Sequence, residues 1–296
     1  MRDLSNKNVI HVVDGDIQYL QFKRLLKYKK EINHAYTLGL NVGFKAITPD
    51  TKMTENEKYN FVIESYKKIC KSMGTDYKNV VRATQDHTDK IKIIEEKNDG
   101  EPYLKLTKEI VEDGLITNKN NIILSTTNAD CILLIFFDPV KKVIANTHSG
   151  WRGTVQRISV KTIRKMIQEY NCNAEDIICC ICPSIRKCHF EVEKDVKEIF
   201  EKEFKDLNGE NFIDIDNKNE MKKINTTDFI EEKIKDKKWN IDTVIINKII
   251  LQREGLKPEH IIDSGICSVC NSDMIHSYRV ERKNYKTETA LIELKK

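Results

Sequence analysis

Apolar positions along the chain fall into two patterns. Short runs rich in β-branched residues, bounded by turn formers, predict strands at residues 9–13, 34–38, 80–81, 122–126, 131–137, 143–147 and 177–182. A period near 3.6 predicts helices elsewhere. Phe61, Ile63, Tyr66, Ile69 and Cys70 form one stripe within 57–70, and Val155, Ile158, Thr162, Met166, Ile167 and Tyr170 form another within 154–170. Further helices are expected at 193–204, 228–235 and 242–254, the last stopped by Gly255. Strands near 261–262, 274–280 and 290–294 close the chain, and the acidic, Asn-rich stretch 208–225 reads as a surface loop. Strands and helices alternate irregularly, so the expected class is α+β: mixed β-sheets packed with flanking helices. No repeat or flexible linker divides residues 1–296, which predicts a single domain or two interleaved halves.

Composition narrows this further. With 296 residues, 40% hydrophobic and 32% charged, and only 11 Gly and 5 Pro, the chain can bury a core without staples and is neither disordered nor low-complexity. Fifty Lys and Arg stand against 46 Asp and Glu, a net charge of +4 spread along the sequence, which argues against nucleic-acid or membrane partners. The polar N-terminus has no signal-like apolar core, and no run of 18 apolar residues occurs, so a cytoplasmic protein is expected. Its nine cysteines are then mostly thiols, with some available for a metal or for catalysis.

The candidate chemistry gathers at two strand ends. Asn128-Ala129-Asp130-Cys131 sets a thiol at a turn before an apolar strand, and the following strand ends in His148-Ser149-Gly150-Trp151-Arg152-Gly153-Thr154. If the two strands pair, Cys131 and His148 meet at one end of the sheet, and His87 in Gln85-Asp86-His87 can supply a third donor. One thiolate and two imidazoles form a three-ligand zinc set with an open fourth position. Free N–H groups at the helix start, with Arg152 beside them, suit an anion. Taken singly, each residue has a plainer reading: a buried Cys or Trp is usually core, and an Arg is usually a surface ion pair. Two C-x-x-C patterns earn less weight. Cys179 and Cys182 lie in a predicted buried strand whose alternate residues face opposite ways, and Cys267–Cys270 is too far from them to form a zinc ribbon. His34 and His189 are candidates to line the same cleft as the main set.

The Asn128–Cys131 and His148–Val155 blocks, Pro183-Ser184-Ile185 followed by Cys188-His189-Phe190-Glu191-Val192, and the endings Asp263–Cys267 and Ser277-Tyr278-Arg279 together resemble the laccase-domain family, also called the multicopper polyphenol oxidase or peptidoglycan editing factor family. The resemblance implies a single laccase-type domain, a fold of the cytotoxic necrotizing factor-like cysteine hydrolase kind, and a zinc site on His87, Cys131 and His148. It also implies phosphorolysis of adenosine, inosine and methylthioadenosine, with deamination of adenosine to inosine. Purine nucleosides and phosphate are then the expected partners.

On that reading Arg152 and Arg279 hold phosphate, while Asp130 or Asp86 protonates the leaving amine during deamination. An alternative makes Cys131 a nucleophile with His148 as base, in an amidase that edits a peptidoglycan precursor. Copper is a third reading, as a polyphenol oxidase, but seven His cannot furnish both a blue site and a trinuclear cluster. A non-enzymatic module with a structural zinc would need a closed fourth ligand near Cys131 or His148, and the sequence offers none at chelating spacing.

Overall fold

The computed structural model describes residues 2–39, 41–44, 54–82, 84–96, 111–214, 220–233 and 237–296. Two six-stranded mixed sheets lie face to face between helical layers. The first contains β1 (Val9–Asp14), β2 (Ile17–Phe22), β3 (Ile32–Leu38), β4 (Val80–Arg82), β7 (Ile123–Asn128) and β17 (Glu288–Leu294), in the order β1-β2-β3-β17-β7-β4. The second contains β5 (Ile91–Ile93), β6 (Gly114–Thr117), β8 (Ile132–Asp138), β9 (Val143–Ser149), β10 (Ile178–Ile181) and β16 (Ile261–Asp263), ordered β16-β10-β8-β9-β6-β5.

The uninterrupted apolar run of β8 follows from this layering, because both of its faces are covered. Leu133, Ile135 and Phe137 point between the sheets, where they join Leu124, Tyr36 and Ile292 from the first sheet. Leu134 and Phe136 point outward onto α4 (Ile158–Tyr170) and α7 (Thr243–Arg253), meeting Ile163, Met166 and Val244. On the far side of the first sheet, α2 (Glu55–Met73) lays Val62, Tyr66, Ile69 and Cys70 against Ala35, Ile123 and Leu291. A Thr54/Glu57 capping box starts that helix and left-handed Gly74 ends it. Helix α1 (Lys23–Leu26) is a single turn after β2.

A smaller layer caps the outer helices. It comprises β11 (Glu191–Val192), β14 (Ile230–Lys233) and β15 (Lys238–Ile241), a hairpin of β12 (Asn211–Asp214) with β13 (Glu220–Lys223), and the helices α5 (Lys194–Glu203) and α6 (Thr226–Phe229). Phe200, Phe204, Phe212 and Phe229 form its core.

Four local expectations are corrected. The helix expected over 154–170 begins at Trp151 and is split into α3 (Trp151–Val155) and α4, because Arg157 adopts φ 56° between them while its guanidinium is anchored on Glu203 and Asp206. The helix expected over 228–235 does not continue past Phe229. The Asn225/Asp228 capping box supports only the single turn of α6, and the chain then pairs as β14 with β15, residues 234–236 lying outside the described residues. The 208–225 loop contains the β12–β13 hairpin, with 215–219 outside the described residues. The expected 274–280 strand is instead a turn leading to α8 (Tyr278–Glu281), whose start Ser277 caps.

Candidate functional site

Strands β8 and β9 form an antiparallel hairpin in which Leu133 pairs with His148 and Ile132 with Ser149. This register brings Cys131, one residue before β8, alongside the end of β9. Asp130 adopts φ 82° and reverses the chain into the strand. Its carboxylate accepts from Ser268 Oγ at 2.6 Å and from the Arg279 backbone N–H at 2.7 Å, so the turn is fastened on both sides. His87 arrives on the 84–88 loop, which Gln85 ties to β7 through both its amide and its carbonyl on Thr127. His87 also has positive φ, 58°.

His87 Nε2 lies 3.8 Å from Cys131 Sγ, and donor atoms of His87, Cys131 and His148 all fall within 4.8 Å of one another. The imidazoles meet edge to face with centroids 5.0 Å apart. Gly150 makes this convergence sterically feasible. A Cβ there would stand 2.8 Å from His87 Cδ2, 3.1 Å from Cys131 Sγ and 3.4 Å from His148 Cε1, so any larger residue would push the donors out of this arrangement.

Asp113, which the sequence reading did not single out, organises the site. Its fully buried carboxylate accepts from His148 Nδ1 at 2.7 Å and from the backbone N–H groups of His87 and Thr88, while its own carbonyl accepts from His148 N–H. Holding a proton on Nδ1 leaves His148 Nε2 with a lone pair facing Cys131 and His87, the arrangement of a metal-ligating histidine with a carboxylate behind it. Burial works against ionisation of Cys131, yet the neighbouring His148 prevails and brings its thiol down to about 6. Burial likewise opposes charge on His148, and Cys131 with Asp113 overcomes it, raising the imidazole to about 9. The structure therefore favours a thiolate–imidazolium pair when no metal is present. A soft thiolate, two imidazoles, a carboxylate brace and a backbone cleared by glycine fit a zinc or copper ion.

Two cavities meet at His87 and Cys131. One, of about 250 Å³, is lined by Arg82, Gln85, Asn128, Tyr278 and Tyr285 together with His87, Cys131 and His148. The other, of about 580 Å³, is bordered by His87, Cys131, Trp151, Arg152, Arg279 and Arg282. Arg152 lies over the Trp151 ring at 4.2 Å. Arg279 donates to the carbonyls of His189 and Glu191, which hold its guanidinium at the wall of the larger cavity.

Several candidates take other roles. Both Asp130 oxygens are engaged by Ser268 and Arg279, which makes this residue a fastener of the Cys131 turn and not a free proton donor. Asp86 is exposed beside His87. The helix behind Gly150 is only the five-residue α3, so the cationic character of this wall comes from side chains instead of a long helix dipole. His34 is buried in the first sheet, where its Nε2 accepts from Phe22 N–H at 2.8 Å and burial brings its imidazole down to about 3; it lines no cleft with His189. Cys179, Cys180 and Cys182 are fully buried, as the strand reading required.

A family model described as "Multi-copper polyphenol oxidoreductase laccase" matches residues 48–295. The chain belongs to this family. Among curated relatives, it is 26% identical over 238 residues to the mouse protein named purine nucleoside phosphorylase LACC1, covering 79% of this chain and 48% of that one. It is 24% identical over 242 residues to purine nucleoside phosphorylase YlmD of Bacillus subtilis, covering 81% and 77%. A prokaryotic relative of unknown organism, named adenosine deaminase RL5, is 25% identical over 224 residues, covering 74% and 76%. The chain thus spans about half the length of the mouse relative and about three quarters of the bacterial one. The crystal structure of YfiH from Bacillus licheniformis superposes with a TM-score of 0.77 over 96% of this chain and 99% of that one, at 21% identity, and shares the α+β fold. Among the described residues, no helix is long and apolar enough to cross a membrane.

Proposed function

We propose that this protein is a zinc-dependent purine nucleoside phosphorylase, acting in the cytoplasm on adenosine, inosine and methylthioadenosine, that also deaminates adenosine. One observation carries the reading: three metal-type donors, His87, Cys131 and His148, converge in a cavity with tyrosine walls, and two of them, His87 and Cys131, also border a cavity with arginine walls. The names of the relatives, phosphorylases and one deaminase, support the same substrate class.

His87, Cys131 and His148 would hold the ion, and zinc would supply Lewis-acid charge stabilisation and acidify water there. The protein's own side chains do the positioning. Arg152 and Arg279 receive the phosphate dianion in the larger cavity, with Arg282 adding positive charge at its rim. Tyr278 and Tyr285, in edge-to-face contact at 5.1 Å, present an aromatic wall to the nucleoside. Phosphorolysis then forms the phosphate O–C1′ bond as the C1′–N9 bond breaks, and the purine departs with that bond's electron pair. Holding both reactants in one geometry supplies the orientation such a displacement needs. In deamination, water adds at C6 and ammonia leaves.

The test is to incubate the zinc-loaded protein with adenosine, with and without phosphate. Adenine and ribose 1-phosphate are expected only with phosphate, and inosine in either case. Absence of all three products refutes the proposal.

A second reading is favoured by one geometric fact, the hydrogen-bonded series Asp113–His148 beside the low-lying Cys131 thiol, which matches the orienter, base and nucleophile of a cysteine amidase. Metal content separates the two. Activity in metal-free protein that iodoacetamide abolishes at Cys131 supports the amidase, whereas activity that tracks zinc supports the phosphorylase. The same donor set accepts copper, so phenol oxidation that tracks copper loading is the outcome that would support the polyphenol oxidase.

A further inference from the structure

A second group of donors lies apart from the first. Strands β10 and β16 run parallel as neighbours, with Ile181 opposite Asp263, so the segments leaving their C-terminal ends emerge together. An isolated bridge between Ser184 and Cys267 keeps them in register. Arg186 spans the same two segments, donating to both carboxylate oxygens of Asp263 and to the Ile266 carbonyl. The first segment then presents the adjacent pair Cys188-His189, and the second presents Cys267 and Cys270 from a tight turn.

These four side chains bring one donor atom each to within 4.8 Å of the others. Cys188 Sγ is 3.7 Å from Cys267 Sγ and 3.9 Å from Cys270 Sγ. His189 Nδ1 is 3.1 Å from Cys188 Sγ, 3.6 Å from Cys267 Sγ and 3.5 Å from Cys270 Sγ. A tetrahedron with metal–sulfur bonds of about 2.3 Å and a metal–nitrogen bond of about 2.0–2.1 Å has sulfur–sulfur edges of about 3.8 Å and sulfur–nitrogen edges of about 3.5 Å. Four of the five distances lie within about 0.1 Å of those edges, and the short one joins sequence neighbours. No disulfide joins these sulfurs, whose separations exceed the S–S bond length of about 2.05 Å by well over an ångström.

We propose that Cys188, His189, Cys267 and Cys270 form a second, structural zinc centre with a closed Cys₃His ligand set. Three thiolates select a soft or borderline ion over magnesium or calcium, and a complete fourth ligand leaves no position for substrate, in contrast to the three-donor set at Cys131. Cys188 and Cys270 are exposed and His189 is half-buried, so the ion can reach the site after the chain has folded. The centre would brace the turn that carries Ser268 and the carbonyl of His189, which hold Asp130 and Arg279 respectively. The proposal does not depend on the function assigned to the first site, since the two ligand sets share no residue.

The experiment is zinc counting by elemental analysis on three proteins expressed with added zinc and then dialysed. The Cys131→Ser/His148→Ala variant, stripped at the first site, is expected to keep about one zinc per chain. X-ray absorption at the zinc edge of that variant should show three sulfur neighbours and one nitrogen. The Cys270→Ser variant, altered at an exposed position, should hold one zinc fewer than the unmodified protein. The proposal is overturned if the stripped variant retains no zinc, or if its zinc has fewer than three sulfur neighbours. It is also overturned if Cys270→Ser leaves the stoichiometry unchanged, or if mass spectrometry of the fresh protein finds Cys267 in a disulfide with Cys188 or Cys270.

Discussion

Replacing Asp113 with asparagine tests whether the buried carboxylate, and not merely the three donors, makes the first site. The Asp113 carboxylate accepts from His148 Nδ1, His87 N, Thr88 N, Thr88 Oγ1 and Asp86 N. An amide has one accepting oxygen. Placed at the Oδ2 position it keeps Thr88 and Asp86 but turns its NH₂ group toward the His148 and His87 donors. Two hydrogen bonds to a charged group are lost, each worth about 1.5–3 kcal/mol. His148 can recover one by shifting its proton to Nε2 and accepting at Nδ1, but that tautomer has no lone pair for the metal. The variant therefore sacrifices either fold stability or ligation. Zinc affinity should fall by about 10–100-fold, the usual cost of removing such an outer partner, equivalent to about 1.4–2.7 kcal/mol. Competition against a chromogenic chelator measures this, and nitrogen NMR of His148 in the metal-free variant should report the proton on Nε2. Zinc affinity within twofold of the unmodified protein, with His148 still protonated at Nδ1, would refute the argument.

Other outcomes follow from the same geometry. Gly150→Ala places a methyl group 2.8 Å from His87 Cδ2 and should cut metal content at least tenfold while circular dichroism stays unchanged; full metal occupancy would show that the ligands yield more readily than their packing suggests. In metal-free protein, the rate of Cys131 alkylation by iodoacetamide should rise with a midpoint near pH 6, and His148→Ala should move that midpoint upward, since only His87 then opposes burial; an unmoved midpoint would refute the pairing. The lowered thiol contributes stability that is complete above pH 9 and fades as pH falls through about 6, while the raised imidazole contributes stability that is complete below 6.5 and fades as pH rises through about 9. Because the folded pair titrates near 6 and 9 and the same two groups titrate near 6.5 and 9 when unfolded, one contribution grows as the other fades. The pair should therefore leave the melting temperature of the metal-free protein nearly flat from pH 6 to 9, and a steep slope that the Cys131→Ser/His148→Ala variant lacks would count against the ion pair. Arg152→Ala should reduce phosphate-dependent cleavage more than tenfold with zinc content intact, whereas equal loss of both would make Arg152 structural.

The fold was most legible where local pattern and tertiary burial agree. The run from Ile132 to Phe137 reads as a strand because both faces are covered, and helix α2 shows its stripe because only one face is. Boundaries depart from the local pattern where a side chain distant in sequence decides the backbone. Arg157 breaks the 154–170 helix because Glu203 and Asp206 hold its guanidinium, and nothing near Arg157 in the sequence announces those partners. The segment 274–280 looks extended by its apolar residues, yet the His276 ring is fixed between Glu281 and the Val42 carbonyl, and Ser277 starts a helical turn instead. Conversely, Ile230 to Lys233 has helix-forming glutamates and a lysine, but pairing with β15 satisfies its backbone as a strand.

The same contrast separates the two metal-type clusters. Cys131 and His148 could be joined in advance because a hairpin converts sequence distance into a register, and that register is observed with Leu133 opposite His148. Asp113 left no comparable signal. It sits 35 residues before His148 and acts on His87 through a backbone N–H, so its side-chain type alone says nothing of the role. The second cluster is invisible to the spacing of the two C-x-x-C patterns, because Cys267 and Cys270 meet neither Cys179 nor Cys182 but the pair Cys188-His189. Parallel pairing of β10 with β16 makes the residues just beyond the two strand ends into neighbours, while residues within the strands remain buried in the cores. Strand topology thus decides which cysteines can share an ion, and linear spacing informs that choice only after the pairing is known.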